Sequence, residues 1–258
     1  MLIIGDVHGC EETLKALLAK IPKKHKKQVC LAGDLIDRGP KSREVIQMAI
    51  DEGFYCVMGN HDEWMAFLGE KTLKNMERGA PWMNDVWFLN GGHQTIDSYR
   101  DIVEVNGEYE EVFDKEIYLK HVEFIKKLPV YLHFSDIKNP DGKELVVSHS
   151  VILNNWKSIQ KNGLKEKDKE IIIWSRPDKI KNIKDNIYNV IGHTPNKDNP
   201  RIKKTYANLD TGCFIGLPSR QRHLTPRLGK LTALHFETMT VYQQDCIDKC
   251  KNYLREYE

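Results

Sequence analysis

The sequence predicts an α/β fold, because short apolar runs alternate with helical periods through the first third of the chain. Each apolar run has the length of a strand and meets glycine and a polar residue at its end. The intervening segments place apolar residues at helical spacing, as Leu14, Leu17, Leu18 and Ile21 show. This β-α-β-α-β-α order is typical of a largely parallel sheet with helices on its faces. The three predicted strands are 2–4, 28–34 and 54–60, and the predicted helices are 11–21, 42–53 and a third that begins at Glu63.

The rest of the chain divides into a polar middle and a second half rich in strand-like segments. The middle, at about 71–128, is expected to be mostly helical, most clearly at 119–128. No internal repeat and no Ser- or Gly-rich linker interrupts the chain. We therefore expect residues 1–258 to form a single domain, with 71–128 as a mostly helical insertion or cap. The later predicted strands are 130–135, 144–150, 171–175, 188–194, 206–212, 230–238 and 240–244.

Composition narrows the class of protein. The chain has 258 residues, 40% hydrophobic and 29% charged, so it can bury a substantial core. A net charge of +2 argues against dedicated nucleic-acid binding, which requires a marked basic excess. No apolar run approaches the roughly 18 residues of a membrane span, and the N-terminus does not resemble a signal peptide. We expect a cytoplasmic protein that does not associate with a membrane.

The six cysteines form no CxxC pair, which fits a reduced compartment. Cys30 and Cys56 lie in apolar runs and are interpreted as core residues. Cys246 and Cys250 are one helical turn apart, a spacing that we attribute to chance rather than to a metal site.

Polar side chains follow five of the predicted strands. Ligands of open α/β sheets bind outside the carboxyl ends of the strands, so these side chains are expected to share one pocket. A turn explains one such strand end, but five argue for a functional site. The remaining histidines, at 25, 93, 121, 133, 223 and 235, are not expected to be ligands. The pocket residues are Asp6, His8, Asp34, Asp37, Arg38, Asn60, His61, His149 and His193.

The donor types of this pocket indicate its ligand. Carboxylate, imidazole and amide oxygen without thiolate favour Mn, Fe or Zn. The donors outnumber what one ion needs, and an aspartate can bridge two ions about 3.5–4 Å apart, as in two-metal hydrolases. The pattern therefore predicts a dinuclear metal site at the ends of the strands.

The motifs resemble those of calcineurin-like metallophosphoesterases over about residues 2–237. They are D-x-H-G at Asp6, G-D-x-x-D-R-G at Gly33, G-N-H-D at Gly59, the later His149, and G-H-T at Gly192. Within that family, residues 88–92, 172–177, 192–195, 208–212 and 229–234 resemble the phage-lambda-type serine/threonine protein phosphatases of bacteria and phages. The resemblance implies mixed β-sheets packed as a sandwich and flanked by helices, with a dinuclear site at the C-terminal ends of the strands.

The resemblance also implies a role for each residue of the pocket. Asp6, His8 and Asp34 would bind one ion, and Asp34 would bridge to a second held by Asn60, His149 and His193. The two ions are expected to be Mn, with Fe, Zn or Ni as alternatives. A metal-bridging hydroxide would attack phosphorus directly. Arg38 and Arg176, with Asn60, would bind the phosphoryl group, and His61, oriented by Asp37, would protonate the leaving oxygen.

The implied activity is hydrolysis of phosphoserine and phosphothreonine, and of phosphotyrosine in a broad-specificity enzyme, with phosphorylated proteins or small phosphoesters as substrates. Two departures keep alternatives open. Asp62 stands where protein phosphatases usually have Glu, which favours hydrolysis of symmetrical dinucleoside tetraphosphates or other nucleotides at the same site. The segment 213–228 is long and basic, and is interpreted either as a solvated loop or as a loop that contacts substrate or partner. A non-catalytic scaffold is disfavoured because every ligand position is filled.

Overall fold

The computed structural model describes residues 1–80, 85–105, 107–176, 180, 186–218 and 227–249. The strands are β1 (Leu2–Ile4), β2 (Val29–Leu31), β3 (Tyr55–Cys56), β4 (Arg100–Val105), β5 (Glu108–Phe113), β6 (Tyr131–Lys138), β7 (Glu144–Ser148), β8 (Ile187–Ile191), β9 (Arg201–Ile202), β10 (Tyr206–Asn208), β11 (Lys230–His235) and β12 (Thr240–Asp245). The helices are α1 (Glu11–Lys20), α2 (Ser42–Asp51), α3 (Asn60–Glu77), α4 (His93–Asp97), α5 (Lys115–Lys126), α6 (Trp156–Asn162) and α7 (Glu166–Trp174).

Ten of these strands form two mixed sheets. The first has the order β12-β11-β1-β2-β3, and β1, β2 and β3 run parallel. The second has the order β6-β7-β8-β10-β9, and β7, β8 and β10 run parallel. Because parallel strands end at a common edge, the loops after β1, β2, β3, β7 and β8 can meet there.

The two sheets pack face to face. Ile3 and Cys30 of the first sheet share a buried cluster with Val147 and Val190 of the second. The opposite face of the first sheet carries Leu2 and packs against α1, α2, α3 and α5. The outer face of the second sheet packs against α6 and α7. The central strands are thus buried on both faces, which explains their continuous apolar sequence. The predicted sandwich of mixed sheets flanked by helices is confirmed.

The segment at about 71–128 combines helices with a hairpin. It contains the end of α3, then α4 and α5, and between them the antiparallel pair β4–β5. Helix α5 packs on α3, and Asp114 caps α5 by accepting a hydrogen bond from the Ile117 amide at 3.0 Å. The hairpin was not predicted, because its strands are mostly exposed and lack a buried alternating face.

The prediction of a strand at 171–175 is wrong, because α7 continues to Trp174. Asp168 accepts a hydrogen bond from the Lys165 amide and thereby fixes the first turn of the helix. Ile172 and Ile173 are both buried, and Ile172 packs in the cluster beneath the helix. Helix capping and burial of this face outweigh the strand propensity of three successive isoleucines.

In the part of the chain that the structure describes, no helix combines the length and the apolar character that crossing a bilayer requires.

Candidate metal centre

The loops at one edge of the two sheets bring the predicted ligands together in a buried pocket. His8, Asp34 and His61 offer ligand atoms that all lie within 4.8 Å of one another, and so do Asp6, Asp34 and His149. Asp34 belongs to both groups. Its two oxygens lie 3.4 Å from His8 Nε2 and 3.4 Å from His149 Nε2. Both groups contain donors that suit a cation, but they place His61 with His8 and Asp6 with His149, whereas the predicted division places Asp6 with His8. All six predicted metal ligands are at most 5% exposed: Asp6, His8, Asp34, Asn60, His149 and His193.

Three histidines are held with one ring nitrogen turned into the pocket. Nδ1 of His8 lies 2.8 Å from the Ile36 carbonyl oxygen, and Nδ1 of His149 lies 2.9 Å from that of Ala32. Nε2 of His193 lies 3.1 Å from the Trp174 carbonyl oxygen. A carbonyl only accepts, so each of these nitrogens donates, and in the neutral ring the other nitrogen carries the lone pair. This is the tautomer arrangement that metal-binding histidines require.

The surroundings of His149 favour a positive charge. His149 Nε2 lies 3.0 Å from His193 Nδ1 and 3.1 Å from Asn60 Oδ1. Although burial opposes protonation, the Asp34 carboxylate raises the pKa of His149 to about 10. Burial, together with His149, lowers the pKa of His193 to about 3. Two imidazole nitrogens and carboxylates thus converge on a point that one cation would neutralise.

Backbone geometry adapts these loops to the site. Five of the seven described non-glycine residues with positive φ are His8, Asp34, Asp37, Arg38 and His193, with φ between 48° and 75°. Such conformations are costly, and they cluster where function demands them. Glycines leave room for the ligands. A Cβ at Gly33 would lie 2.7 Å from His149 Nδ1, and Cβ atoms at Gly59 and Gly192 would overlap the carboxylates of Asp34 and Asp6.

His61 is oriented by a buried carboxylate. Its Nδ1 donates to Asp37 Oδ2 at 2.6 Å, so Nε2 is the ring nitrogen that this bond does not use. Asp37 also accepts hydrogen bonds from Trp87 Nε1 at 2.9 Å and from Thr95 Oγ1 at 2.6 Å. These bonds fix the carboxylate, and therefore the imidazole ring that it holds.

Both predicted arginines lie at the pocket. Arg38 Nη1 lies 2.8 Å from His8 Nε2, and its guanidinium stacks 4.3 Å above the ring of Phe214. Arg176 is exposed, and its Nη2 donates to the His193 carbonyl at 3.5 Å. Two planar cations therefore border the donor groups, where they can bind oxyanions.

Sequence reasoning missed two residues of this region. Asp210 follows β10 and is 3% exposed; burial raises its pKa to about 6, and its charge helps to raise that of Asp6. Its position at the end of a strand, in the segment 206–212, was the available signal. Phe214 packs its ring 5.0 Å from that of His8, but nothing in its local sequence indicates this contact.

Asp62 has a structural position within the site. Its oxygens accept hydrogen bonds from the Gly59 amide at 2.9 Å and the Leu35 amide at 3.0 Å. Burial raises its pKa to about 8, and the charge of Asp34 adds to that rise. Asp62 therefore ties the start of α3 to the loop that carries Asp34.

The basic segment 213–228 is described only at its ends, since 219–226 lie outside the described residues. Arg227 pairs with Asp198 through its Nε at 2.5 Å. Arg220, Arg222 and His223 lie outside the described residues. Of the histidines that were not expected to be ligands, those at 25, 93, 121, 133 and 235 are described and lie outside both donor groups.

Comparison with known proteins agrees with this geometry. Residues 1–211 match the model of the calcineurin-like phosphoesterase family. The chain is 27% identical over 247 residues to the asymmetrical bis(5'-nucleosyl)-tetraphosphatase PrpE of Oceanobacillus iheyensis, covering 83% of this chain and 84% of that protein. It is 51% identical to a symmetrical bis(5'-nucleosyl)-tetraphosphatase of Hamiltonella defensa, but over only 76 residues, 28% of each chain. The crystal structure of a putative diadenosine tetraphosphatase shares the fold, with a TM-score of 0.51, 17% identity and coverage of 95% and 92%. The protein belongs to the calcineurin-like phosphoesterase family of metallophosphoesterases.

Proposed function

We propose that the protein is a metal-dependent hydrolase of dinucleoside tetraphosphates that cleaves them asymmetrically. The observation that carries this proposal is the match to an asymmetrical tetraphosphatase over most of the length of both chains. The much shorter match to a symmetrical enzyme supports the substrate class but not the position of cleavage. The comparisons favour a dinucleoside tetraphosphate substrate over phosphoproteins, whereas Asp62 had suggested the symmetrical enzyme of that class.

The residues proposed to hold two divalent ions are the six ligands that the sequence predicts, of which Asp6, His8, Asp34 and His149 belong to the two donor groups. Asp6, His8 and Asp34 would hold one ion, and Asp34 would share the second with Asn60, His149 and His193. We propose Mn for both positions, because carboxylate, amide oxygen and imidazole suit it. When bound, the two ions neutralise phosphoryl charge and activate water.

The side chains around the donors perform the remaining steps. Arg38 and Arg176 bind phosphoryl oxygens, since a guanidinium can donate to two oxygens at once. His61 carries a proton on Nδ1 toward Asp37 and uses Nε2 to donate to the leaving oxygen. In a tetraphosphate, that oxygen belongs to a phosphate whose second pKa is about 6, so it needs less help than an alkoxide.

Aromatic surface beside the site suits a nucleoside. The Trp64 ring lies 4.8 Å from that of His61 and 5.1 Å from that of Trp174, and both indoles are partly exposed. Trp174 Nε1 donates to Glu63 at 2.5 Å, and Glu63 borders an open groove of about 930 Å³. The groove also contains Phe67, which is 76% exposed, and Lys167, while Lys126 and Lys169 pair with Glu70 and Glu166. A cavity of this size accommodates a nucleoside.

A second candidate is hydrolysis of phosphoserine or phosphothreonine. The resemblance of 88–92 to protein phosphatases favours it, and this segment supports Arg38 directly: the Gly91 carbonyl accepts from the Arg38 amide at 3.2 Å. A substrate panel separates the two candidates.

The test uses chelator-treated full-length protein reloaded with Mn²⁺. It compares kcat/KM for diadenosine tetraphosphate and for peptides carrying phosphoserine, phosphothreonine or phosphotyrosine, with Asp34→Asn as the inactive control. We expect diadenosine tetraphosphate to be preferred and to yield one AMP and one ATP per molecule. Two ADP would overturn the asymmetrical cleavage, and a preference for phosphopeptides would overturn the substrate class.

A further inference from the structure

Three cysteines from distant parts of the sequence meet in one buried cluster. Cys10 precedes α1, Cys213 opens a short 3-10 helix that ends at Gly216, and Cys246 follows β12. Their sulfur atoms all lie within 4.8 Å of one another, and the three residues are 0%, 1% and 8% exposed. The sequence interpretation considered Cys246 only with Cys250, which lies outside the described residues, and so missed this convergence.

The spacing of the three sulfurs suits a metal ion. Sulfurs bound to one ion at about 2.3 Å lie about 3.8–4.0 Å apart, within the separation observed here. No carboxylate or imidazole belongs to this group among the described residues. Thiolates are the ligands preferred by Zn²⁺ and Cu⁺, whereas Mn²⁺ and Mg²⁺ prefer oxygen. The chemistry of this cluster is therefore opposite to that of the carboxylate–imidazole centre.

Hydrogen bonds hold the segments of Cys10 and Cys246 in place. The Cys246 amide donates to the Gly229 carbonyl at 2.8 Å, and the Cys10 amide donates to that of Val7 at 3.1 Å. Next to Cys246, the Ile247 amide donates to Thr13 Oγ1 at 3.0 Å. The carboxylate of Asp248 in turn accepts from the Thr13 hydroxyl at 2.6 Å and the Thr13 amide at 3.0 Å. The Cys10 and Cys246 segments are thus held by contacts that do not depend on a bound ion, as a preformed site requires.

We propose that Cys10, Cys213 and Cys246 form a second metal site, specific for a thiophilic cation and separate from the phosphoesterase centre. Each thiol that binds releases its proton to solvent and coordinates as the thiolate. Zn²⁺ and Cu⁺ share this chemistry.

The site lies directly behind the phosphoesterase centre. Cys10 follows His8 by two residues, and its thiol lies 3.5 Å from the His8 carbonyl oxygen. Cys213 precedes Phe214, whose ring stacks on Arg38. A bound ion would therefore join the loop that carries His8 to the segment that carries Phe214.

Cobalt(II) is the probe, because its thiolate complexes absorb by charge transfer in the near ultraviolet and its carboxylate and imidazole complexes do not. Full-length protein is reduced, stripped with a chelator and saturated with Mn²⁺, and Co²⁺ is then titrated in. We expect a charge-transfer band that saturates at one Co²⁺ per chain. Absence of this band from the wild-type protein overturns the proposal by itself.

Variants assign the band to its ligands. Each of Cys10→Ser, Cys213→Ser and Cys246→Ser should weaken or abolish it, whereas Cys56→Ser, at another buried thiol, should retain it. Asp34→Asn should also retain it, which separates the two sites. If a variant fails to fold, the displacement of Co²⁺ from the wild-type protein by a thiophilic ion still tests the proposal. Zn²⁺ or Cu⁺ should remove the band at one equivalent, and whichever competes more strongly is the preferred ion. If neither displaces Co²⁺, or if Cys56→Ser abolishes the band, the proposal is wrong.

Discussion

The two buried clusters at this edge of the fold differ in how the sequence encodes them. The carboxylate–imidazole centre is built from short motifs, such as Asp6 and His8 one residue apart at the end of β1. The thiol cluster is built from single cysteines that share no local spacing. A parallel sheet brings the ends of its strands together, so motifs at those ends predict a site. Residues that meet only through tertiary packing leave no such pattern in the sequence.

The difference extends to how each cluster is supported. The three metal-centre histidines are fixed by carbonyl oxygens of Ile36, Ala32 and Trp174, and their loops adopt costly positive-φ conformations. The cysteines lie within the apolar core beside α1, and Cys10 and Cys246 are held by backbone hydrogen bonds. Disturbing the first cluster should therefore lower Mn²⁺ binding and catalysis together, whereas disturbing the second should lower the binding of a thiophilic ion.

Asp34→Asn should have the largest effect, because Asp34 belongs to both donor groups. We expect weaker binding of both Mn²⁺ ions. Turnover should fall by more than about 100-fold, beyond the 10–100-fold typical of losing an outer-sphere partner. Bound metal and turnover are measured together on the same sample. The matched control, Asp136→Asn on the exposed part of β6, should retain both. Turnover near the wild-type level in Asp34→Asn would show that the Asp34 carboxylate does not serve both ions.

His61→Asn should separate proton donation from metal binding. We expect metal content to persist and phosphoserine hydrolysis to fall roughly 10²–10⁴-fold, because an alkoxide needs a proton to leave. Nitrophenyl phosphate and diadenosine tetraphosphate should lose much less, since their leaving oxygens are weaker bases. Asp37→Asn should show the same order with smaller losses, because it acts through the imidazole.

The result is read from relative kcat values on the three substrates and from metal content by mass spectrometry. Equal losses on all three substrates, with metal retained, would instead make His61 a binder of the phosphoryl group.

Arg176→Ala should have a smaller effect. One charge-assisted hydrogen bond contributes about 1.5–3 kcal/mol, so we expect roughly 10–100-fold weaker kcat/KM with unchanged metal content. Arg38→Ala should lose at least as much, because Arg38 is less exposed and lies against His8. Arg201→Ala, on the exposed strand β9, is the control. Wild-type behaviour of Arg176→Ala on every substrate would make Arg176 a surface residue only.

The last prediction concerns stability and His121, a buried histidine that lies outside both donor groups. His121 Nδ1 bonds to the Tyr99 hydroxyl at 2.7 Å, its Nε2 lies 3.1 Å from Gln47 Oε1, and burial lowers its pKa to about 4. Its unfolded pKa is about 6.5, so the unfolded state binds the proton more readily. Its contribution to stability is complete above pH 6.5 and is lost as the pH falls toward 4, with a slope of about 1.4 kcal/mol per pH unit.

This slope is measured by urea unfolding at several pH values with and without Mn²⁺. His121→Gln should flatten it in this window, whereas His133→Gln, at a partly exposed histidine, should not. The difference in slope between wild type and His121→Gln should be the same with and without Mn²⁺; a difference that changes with Mn²⁺ would link His121 to the metal centre.

Local pattern and tertiary contact together explain how far the sequence could predict this molecule. The ends of β1, β2, β3, β7 and β8 were predictable because strand, turn and ligand are consecutive. The helical conformation of residues 171–174 was not predictable, because the isoleucines have strand propensity. Only the cap at Asp168 and the core beneath the helix decide the outcome. Phe214 could not be predicted either, since its contact with Arg38 depends on how two distant loops pack.

The central claim is that one buried pocket binds two ions and hydrolyses dinucleoside tetraphosphates. The most direct test titrates Mn²⁺ into chelator-treated protein, counting bound ions by mass spectrometry while measuring hydrolysis of diadenosine tetraphosphate. We expect two Mn²⁺ per chain, with the thiol cluster taking none because Mn²⁺ prefers oxygen ligands. Turnover to AMP and ATP should appear only as the second ion binds. Full turnover by metal-free protein, or two bound ions without any hydrolysis of this substrate, would contradict the claim.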